Sequence, residues 1–241
     1  MSGIVAGIQA RMGSSRLPGK SLVDLGGKPL VDWIIDRVQM ATQIDQVWVL
    51  TTTNPEDDAL AEAMQGKAAV LRGDALNVTS RYQQLFEKTD ASWVLRITGD
   101  CPLIDGLLLD ELIDQHRAHQ ADYSHILAQS YYDPSYPNGF NAELFTAAAF
   151  AKMRQLDTTA AALEHVTPTV DEFPEAFRIF RLAPPSELSR PDWKLSVDTA
   201  TDLERVRAIV AALGETAISA TAEEIIAVLD AHPEWRSPPT P

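Results

Sequence analysis

The sequence predicts an α/β fold in which a mostly parallel, Rossmann-like sheet is flanked by helices, with an aromatic loop or arm inserted in the second half. Short apolar runs alternate with amphipathic helical stretches along the first half of the chain, an order typical of β-α-β units. These runs are apolar without alternation, as expected of strands covered on both faces. The 241 residues suffice for one large core, so we expect a single domain over residues 1–241 with a disordered tail at 233–241.

Local patterns predict the individual elements. Leu30, Ile34 and Val38 recur at helical spacing, and Asn54-Pro55 places a cap and a first-turn proline before another helix. The predicted strands are Ile4–Ala10, Gln46–Thr52, Ala69–Arg72, Trp93–Ile97, Phe140–Leu144, Phe177–Leu182 and Lys194–Val197. The predicted helices are Leu30–Val38, Glu56–Gln65, Asn77–Lys88, Leu107–His119, Thr146–Arg154, Glu164–Val170, Thr201–Leu213 and Ala222–Asp230.

The segment Gln129–Asn141 interrupts this regular order. It is rich in aromatic and turn-forming residues, and loops of this kind on α/β scaffolds often carry the side chains that discriminate substrates. A surface hairpin or a contact between two copies of the chain is an equal alternative.

Composition and charge exclude several classes of function. The formal net charge is −14, which disfavours nucleic acid or an anionic membrane as a partner. The chain has one cysteine, Cys101, so it forms no internal disulfide and suits a reducing compartment. No apolar run approaches the ~20 residues of a membrane span, and the N-terminus lacks a signal-peptide pattern. We therefore expect a cytoplasmic protein.

The most informative stretch is Ile8–Lys20, which follows the first predicted strand. It contains Gly13 and Gly19 together with the cations Arg11, Arg16 and Lys20. Glycines allow backbone N–H groups to point at one ligand, while Arg and Lys donate to phosphate oxygens. In so acidic a chain, three cations in one loop indicate a polyphosphate site. The alternative is a solvated turn, and the stretch does not match the Walker pattern of other phosphate-binding loops.

Two aspartates follow predicted strands farther along the chain. Asp100 comes after the strand Trp93–Ile97, and Asp198 comes after Lys194–Val197. Ligands bind at the carboxyl ends of strands in open α/β sheets, and Mg²⁺ takes a few carboxylates together with phosphate oxygens. The two aspartates could therefore share one Mg²⁺, although each taken singly is also a common helix cap or turn residue.

Four motifs together resemble the acylneuraminate cytidylyltransferase family, in particular its spore coat polysaccharide biosynthesis protein F (SpsF-like) branch. They are Gln9–Lys20 (Gln-Ala-Arg-Met-Gly-Ser-Ser-Arg-Leu-Pro-Gly-Lys), Thr98–Ile104 (Thr-Gly-Asp-Cys-Pro-Leu-Ile), Glu164–Pro168 (Glu-His-Val-Thr-Pro) and Val197–Thr199 (Val-Asp-Thr). The match runs from Ile4 to about Val210 in the order of the family. The resemblance implies the fold of nucleotide-diphospho-sugar transferases.

The resemblance also implies the reaction. It is the transfer of CMP from CTP to a sugar or sugar acid, with release of pyrophosphate and dependence on Mg²⁺, in the biosynthesis of surface polysaccharide or glycan. By this resemblance Arg11 and Lys20 bind the triphosphate with help from Arg16, and Asp100 and Asp198 hold the metal. The catalytic residues would be Arg11, Lys20 and Asp100.

The remaining site residues are likewise assigned from similar enzymes. The loop would bind the nucleotide through Gln9, Ala10, Gly13 and Ser14. A segment matching residues 72–81 would recognise the pyrimidine, where close relatives tend to read Asp-Val-Leu-Asp-Arg and this chain reads Asn-Val-Thr-Ser-Arg. The pyrimidine-binding candidates are Arg72, Asn77, Ser80 and Arg81.

The acceptor sugar would be contacted from the second half of the chain. The candidates are Tyr136, Asn138, Asn141, Glu143, Glu164 and His165. A histidine in a short helix is also a common structural residue, and that alternative stays open here. The aromatic segment and the arm Phe177–Leu182 would suit a homodimer, as in similar enzymes.

Two other classes of function remain open at the level of sequence. One is a glycosyltransferase of related fold that consumes a finished nucleotide sugar, although Thr98–Asp100 lacks the paired aspartates that such enzymes use. The other is a catalytically silent binding subunit. The joint presence of Arg11, Lys20, Asp100 and Asp198 argues against it.

Overall fold

The structure is a computed structural model, and it describes residues 3–126 and 134–236. Within these residues the strands form a seven-stranded sheet and a two-stranded hairpin. The strands are β1 (Ile4–Gln9), β2 (Asp24–Leu25), β3 (Lys28–Pro29), β4 (Gln46–Thr52), β5 (Ala69–Gly73), β6 (Trp93–Thr98), β7 (Tyr123–Ile126), β8 (Ala142–Thr146) and β9 (Ile179–Arg181).

Helices connect these strands. The α-helices are α1 (Leu30–Val38), α2 (Asp58–Ala63), α3 (Val78–Thr89), α4 (Gly106–Ala118), α5 (Ala147–Leu156), α6 (Ala160–His165), α7 (Pro168–Glu172), α8 (Ala200–Leu213) and α9 (Ala222–Ala231). Short 3₁₀ turns lie at Lys20–Leu22, Pro55–Asp57, Pro174–Ala176, Ser186–Leu188, Gly214–Thr216 and Pro233–Trp235.

The large sheet has the order β5-β4-β1-β6-β8-β7-β9. Its first four strands pair in parallel. β8 then runs antiparallel between β6 and β7, and β9 pairs in parallel with β7. The predicted mostly parallel, Rossmann-like sheet with flanking helices is confirmed. Since β1 and β6 are adjacent, their carboxyl ends open at the same edge.

The sheet separates two apolar clusters. In β1 the side chains of Ile4, Ala6 and Ile8 belong to one cluster, and Val5 belongs to the other. The first cluster includes residues of α1, α4, α8 and α9, and the second includes residues of α3, α5 and α7. Because successive side chains of a strand point to opposite faces, the runs read as apolar throughout where both faces are covered.

The predicted strand Lys194–Val197 is wrong. Only Lys194 pairs, in an isolated bridge with Asn138. The N–H groups of Leu195 and Ser196 both bond to the carbonyl of Asn138, so the chain turns around that carbonyl. The apolar side chains here are buried because they pack into the core beside the sheet.

Two predicted helices are also divided. In place of Glu56–Gln65 the chain forms a 3₁₀ turn followed by α2. In place of one helix over Glu164–Val170, α6 ends at His165 and α7 begins at Pro168. Val166, between them, has a φ of +72°, which no helix accommodates.

Other differences concern the second half of the chain. β7 was not predicted, because its sequence carries no clear strand pattern. The predicted aromatic insertion Gln129–Asn141 lies partly outside the described residues, which resume at residue 134. The predicted tail begins with an ordered turn, Pro233–Trp235, and its last residues lie outside the described part. Among the described helices, none is long and apolar enough to cross a membrane.

Candidate active site

A cavity of about 450 Å³ opens at the carboxyl ends of β1 and β6. Its walls come from the loop after β1, the loop after β6, the start of α3, the end of α6 and the segment before α8. The lining residues are Gln9, Ala10, Arg11, Gly13, Ser14, Ser15, Arg16, Lys20, Ser21, Ala75, Val78, Arg81, Thr98, Gly99, Asp100, Glu164, His165 and Asp198.

The loop after β1 is held closed by its own backbone. The carbonyl of Met12 accepts the N–H of Ser14 at 2.8 Å and that of Gly19 at 3.1 Å, and the hydroxyl of Ser21 donates to the carbonyl of Arg11 at 3.1 Å. Gly19 has a φ of +73°, which favours glycine. Its N–H is used inside the loop, so the expectation that it faces a ligand is wrong.

A buried carboxylate fixes the loop to the neighbouring strand. Asp57 accepts the N–H of Met12 at 2.6 Å and the hydroxyl of Thr52, at the end of β4. Gly13 lies against the same region, because a Cβ there would come within 2.5 Å of Oε1 of Glu56. Sequence analysis missed Asp57. Its position in the turn after a β4 threonine was a usable signal.

Three cations converge on Asp198. Its Oδ1 lies 3.0 Å from Arg16 and 3.5 Å from Lys20, and its Oδ2 lies 2.9 Å from Lys194. Burial by itself would raise the pKa of Asp198, but the hydrogen bond from Lys194 and the charges of Lys20 and Arg16 outweigh it and lower that pKa. The Asp198 side chain is therefore an ionised carboxylate.

Asp202 supports this cluster from the first turn of α8. Its Oδ2 accepts Nζ of Lys194 at 2.8 Å and the N–H of Asp198 at 3.1 Å, and it forms a capping box with Thr199. Burial opposes ionisation of Asp202, but the bonds from Lys194, Thr199 and Asp198 lower its pKa to about 2.

Asp100 reaches the cavity from the end of β6. Its carbonyl accepts the N–H of Val197 at 2.8 Å, which brings the segment of Asp198 alongside. The preceding Gly99 is required by close packing, since a Cβ would lie 2.7 Å from the carbonyl oxygen of Gln9. Cys101 is buried, and burial raises the pKa of its thiol well above the usual value. Cys101 also does not line the cavity, so its position is that of a packing residue.

The donor set of this cavity fits a divalent cation. Asp100 and Asp198 both line it, and Asp198 is ionised. Mg²⁺ prefers one or two carboxylates completed by phosphate oxygens and water. Since no group of three or more metal-ligating side chains occurs among the described residues, such an ion would take its remaining ligands from a bound phosphate.

The predicted pyrimidine-binding residues separate into two groups. Arg81 lines the cavity; it is buried, donates to the carbonyl of Leu50 at 3.0 Å, and has its pKa lowered by burial. Arg72 instead donates to the carbonyl of Thr52 at 2.8 Å and pairs with Asp58. This contact directs the Arg72 side chain along the turn after β4, away from the cavity.

Asn77 and Ser80 form the N-terminal cap of α3. The side chain of Asn77 accepts the N–H of Ser80 at 2.8 Å, and the hydroxyl of Ser80 returns to the carbonyl of Asn77 at 2.7 Å. Neither residue lines the cavity of Arg81; both line a smaller cavity beside it.

The predicted sugar contacts are also divided. Glu164 and His165 are exposed and line the cavity. Tyr136, Asn138 and Asn141 do not line it: Tyr136 packs against Phe140 in the core, and Nδ2 of Asn141 donates to Oδ1 of Asn138 at 2.9 Å.

Glu143 does not have the place expected of a sugar contact. It is 3% exposed, and its carboxylate accepts bonds from Arg96, Tyr123 and Thr167. The reason is its position on β8. There it lies directly opposite Arg96, on the face of the sheet that α3, α5 and α7 cover.

Several lining residues were not among the predicted site residues. Thr98 and Gly99 were within reach of sequence analysis, because they belong to the same motif as Asp100. The others are small neighbours of predicted residues and carry no signal of their own. The missed residues are Ser15, Ser21, Ala75, Val78, Thr98 and Gly99.

Comparisons with known proteins identify the family of the chain. A family model described as Cytidylyltransferase matches residues 5–225. The spore coat polysaccharide biosynthesis protein SpsF of Bacillus subtilis is 31% identical over 97% of both chains. The 3-deoxy-manno-octulosonate cytidylyltransferase of Escherichia coli is 38% identical over 104 residues, 43% of this chain and 42% of that one.

A solved structure has the same overall architecture. The cytidylyltransferase from Leptospira borgpetersenii superposes with a TM-score of 0.90 at 26% identity, covering 100% of this chain and 99% of that one. The family model and the relative that matches along its whole length lead to the same conclusion. This chain belongs to the cytidylyltransferase family and is a nucleotidyltransferase.

Proposed function

We propose that this protein transfers CMP from CTP to a sugar or sugar acid, releases pyrophosphate, and depends on Mg²⁺. We further propose that the product serves the biosynthesis of a surface polysaccharide or glycan, since the Bacillus subtilis relative is a spore coat polysaccharide biosynthesis protein. The observation that carries the proposal is the meeting of Arg11, Arg16, Lys20, Asp100 and Asp198 in one cavity of an acidic chain.

The cations of the loop after β1 would bind the triphosphate. Lys20 has only 15% of its side chain exposed, while Arg16 has 64% exposed. Lys20 is therefore the fixed cation and Arg16 the one that is free to move onto a ligand. Both now contact Asp198, and they would turn to phosphate oxygens when the nucleotide binds.

The reaction needs positioning and charge neutralisation rather than a covalent intermediate. A hydroxyl oxygen of the acceptor forms a bond to the α-phosphorus as the bond to pyrophosphate breaks. Arg11 and Lys20 would stabilise the charge that grows on the departing pyrophosphate. Asp100 and Asp198 would hold Mg²⁺, which when bound neutralises phosphate charge as a Lewis acid.

The base and the acceptor would contact different walls of the cavity. Arg81 with Ala75 and Val78 forms the wall at α3, which suits a flat base. Glu164 and His165 form the wall at the end of α6, where they would contact the sugar. A homodimer stays a prediction, which sedimentation equilibrium would test.

The first experiment is thermal stabilisation by each of the four nucleoside triphosphates with Mg²⁺. A ligand that binds the native state raises the melting temperature by mass action. We expect the largest rise with CTP. A larger rise with another triphosphate would contradict the base assignment, and a rise with nucleotide sugars alone would favour a glycosyltransferase.

The second experiment tests the phosphate site. Lys20→Ala should remove the CTP-dependent rise in melting temperature and reduce pyrophosphate release by at least about a hundredfold. The matched control is Lys28→Ala, because Lys28 pairs with Asp36 on α1 and does not line the cavity. Equal rates in the two variants would contradict the proposed role of the loop.

A further inference from the structure

A row of polar side chains crosses the sheet beneath the cavity. Gln9 on β1, Arg96 on β6 and Glu143 on β8 lie on the same face, since Arg96 is directly opposite Glu143 and opposite Gly7, two residues before Gln9. On the same three strands this face also carries the apolar side chains of Val5, Val94 and Phe145. Other polar members of this face are Thr98 at the cavity end of β6 and His125 on β7, directly opposite Glu143.

Arg96 and Glu143 form a buried ion pair. Their side chains are 10% and 4% exposed. Burial opposes both charges, but each supports the other, so the pKa of Arg96 is raised and that of Glu143 is lowered. A buried pair contributes little net stability relative to apolar residues of the same size. The presence of this pair at a buried position next to the cavity is therefore better explained by a positioning role than by stability.

Arg96 also directs a donor other than the one that bonds to Glu143 toward the cavity. Nε of Arg96 donates to Oε1 of Gln9 at 3.1 Å, and Gln9 lines the cavity. Arginine has donors and no acceptor. The Gln9 amide must therefore turn its oxygen toward Arg96, which leaves the NH₂ group as the end available to a ligand.

We propose that Glu143 and Arg96 are positioning residues that orient the Gln9 side chain, so that its NH₂ group donates to an oxygen atom of the bound nucleotide. Glu143 holds the Arg96 side chain in place, Arg96 orients the side-chain amide of Gln9, and this amide donates a hydrogen bond to the ligand. This assigns to Gln9 a recognition role for its side chain and rests on the proposed binding of CTP.

The decisive variant is Gln9→Glu. A carboxylate at this position still accepts the bond from Arg96 and strengthens it by its charge, so the fold should be retained with an equal or higher melting temperature. It has no NH₂ group to offer, so we expect the Kd for CTP with Mg²⁺, measured by calorimetry, to rise at least about tenfold. Unchanged affinity would show that Gln9 only completes the polar row and would overturn the proposal.

A double-mutant cycle tests whether Arg96 acts through Gln9. Arg96→Lys keeps the charge beside Glu143 and removes Nε, and it should weaken CTP binding about fivefold in the wild-type background. In the Gln9→Ala background the same change should have no further effect. Additive losses would mean that Arg96 acts by general stability and would overturn the proposal.

Two comparisons complete the design. Arg117→Lys is the matched control, because Arg117 is exposed on α4 and pairs with Asp114. Failure of the wild-type protein to bind CTP would overturn the proposed function together with this inference, whereas normal CTP binding by Gln9→Glu would overturn this inference alone.

Discussion

Single side chains determine the shape of the proposed nucleotide site, and Asp57 is the clearest case. It does not line the cavity, yet it binds the backbone of the loop at Met12 and the end of β4 at Thr52. This loop contains Arg11 and Lys20 and is closed by hydrogen bonds between its own backbone N–H and carbonyl groups. A loop of this length would otherwise sample many conformations, so one buried carboxylate reduces the entropy lost when a phosphate binds.

Replacing Asp57 by alanine should therefore weaken nucleotide binding. The N–H of Met12 would lose its partner, which costs about 1–3 kcal/mol when the group stays buried. We expect the KM for CTP to rise about tenfold with a smaller change in kcat, measured by pyrophosphate release. Asp58→Ala is the control, because Asp58 is exposed and forms an ion pair with Arg72 on the protein surface; an effect of similar size there would contradict the argument.

At the scale of elements, the break between α6 and α7 shapes the proposed acceptor wall. Val166 has a φ of +72° and a ψ of −50°, and the N–H of Thr167 bonds to the carbonyl of His165 at 2.9 Å. This is the rare, strained hand of the γ-turn, and for a β-branched residue it costs about 1–3 kcal/mol. The turn directly follows the cavity-lining residues Glu164 and His165.

The surrounding structure holds this turn in place. The side chain of Val166 is buried, its N–H bonds to the carbonyl of Ala162 at 3.0 Å, and the hydroxyl of Thr167 donates to Glu143 at 2.5 Å. Glu143 therefore links the turn to the polar row beneath the cavity. Local sequence patterns favour one continuous helix here. The observed break differs because a tertiary hydrogen bond stabilises a conformation that local propensity opposes.

Thr167→Val tests the anchor, since it removes the hydroxyl and keeps the shape. We expect backbone hydrogen exchange across residues 160–172 to become about tenfold faster, corresponding to about 1.4 kcal/mol of local stability. Exchange followed by mass spectrometry measures this directly. Thr167→Ser retains the donor and should exchange like the wild type; equally fast exchange in both variants would contradict a role of the Glu143 bond.

For the whole molecule, buried polar groups join distant parts of the chain. Arg37 of α1 is buried and donates to carbonyls of Leu103 and Ile104 after β6, and to those of Ala217, Ile218 and Ala220 after α8. The loop that carries Asp100 and the C-terminal segment are thereby fixed to one helix. Cooperative unfolding of these parts follows from such shared contacts.

The pH dependence of stability is another property of the whole molecule. His116 on α4 is buried against Trp93 and bonds to Ser124 at 2.8 Å through Nδ1. Burial lowers the pKa of His116 from 6.5 to about 4, partly offset by Asp122, while Arg117 and Arg178 lower it further. Burial also lowers the pKa of His125 to about 4.

These histidines should make the protein less stable as the pH falls from 6.5 to 4. In that window the unfolded chain binds a proton at each histidine that the folded protein does not bind, so the free energy of unfolding falls as the pH is lowered. Above pH 6.5 both states are largely unprotonated at these histidines and the effect disappears. For His116 the loss between pH 7 and 4.5 is about 2 kcal/mol. Urea unfolding of His116→Gln should show a decline smaller by that amount; an identical decline would contradict the assignment.

The sequence by itself determined the parallel half of the fold, the loop after β1 and Asp100, because apolar runs and short motifs encode elements and the residues at their ends. It also indicated Asp198 through its motif, although the strand predicted before that residue does not form. It also placed Glu164 and His165 at the site. Tertiary structure decided the rest: the antiparallel insertion of β8 beside β6, the burial of Glu143 against Arg96, and the turn at Val166. These depend on which residues become neighbours when strands distant in sequence pair, and local patterns carry no information about that pairing.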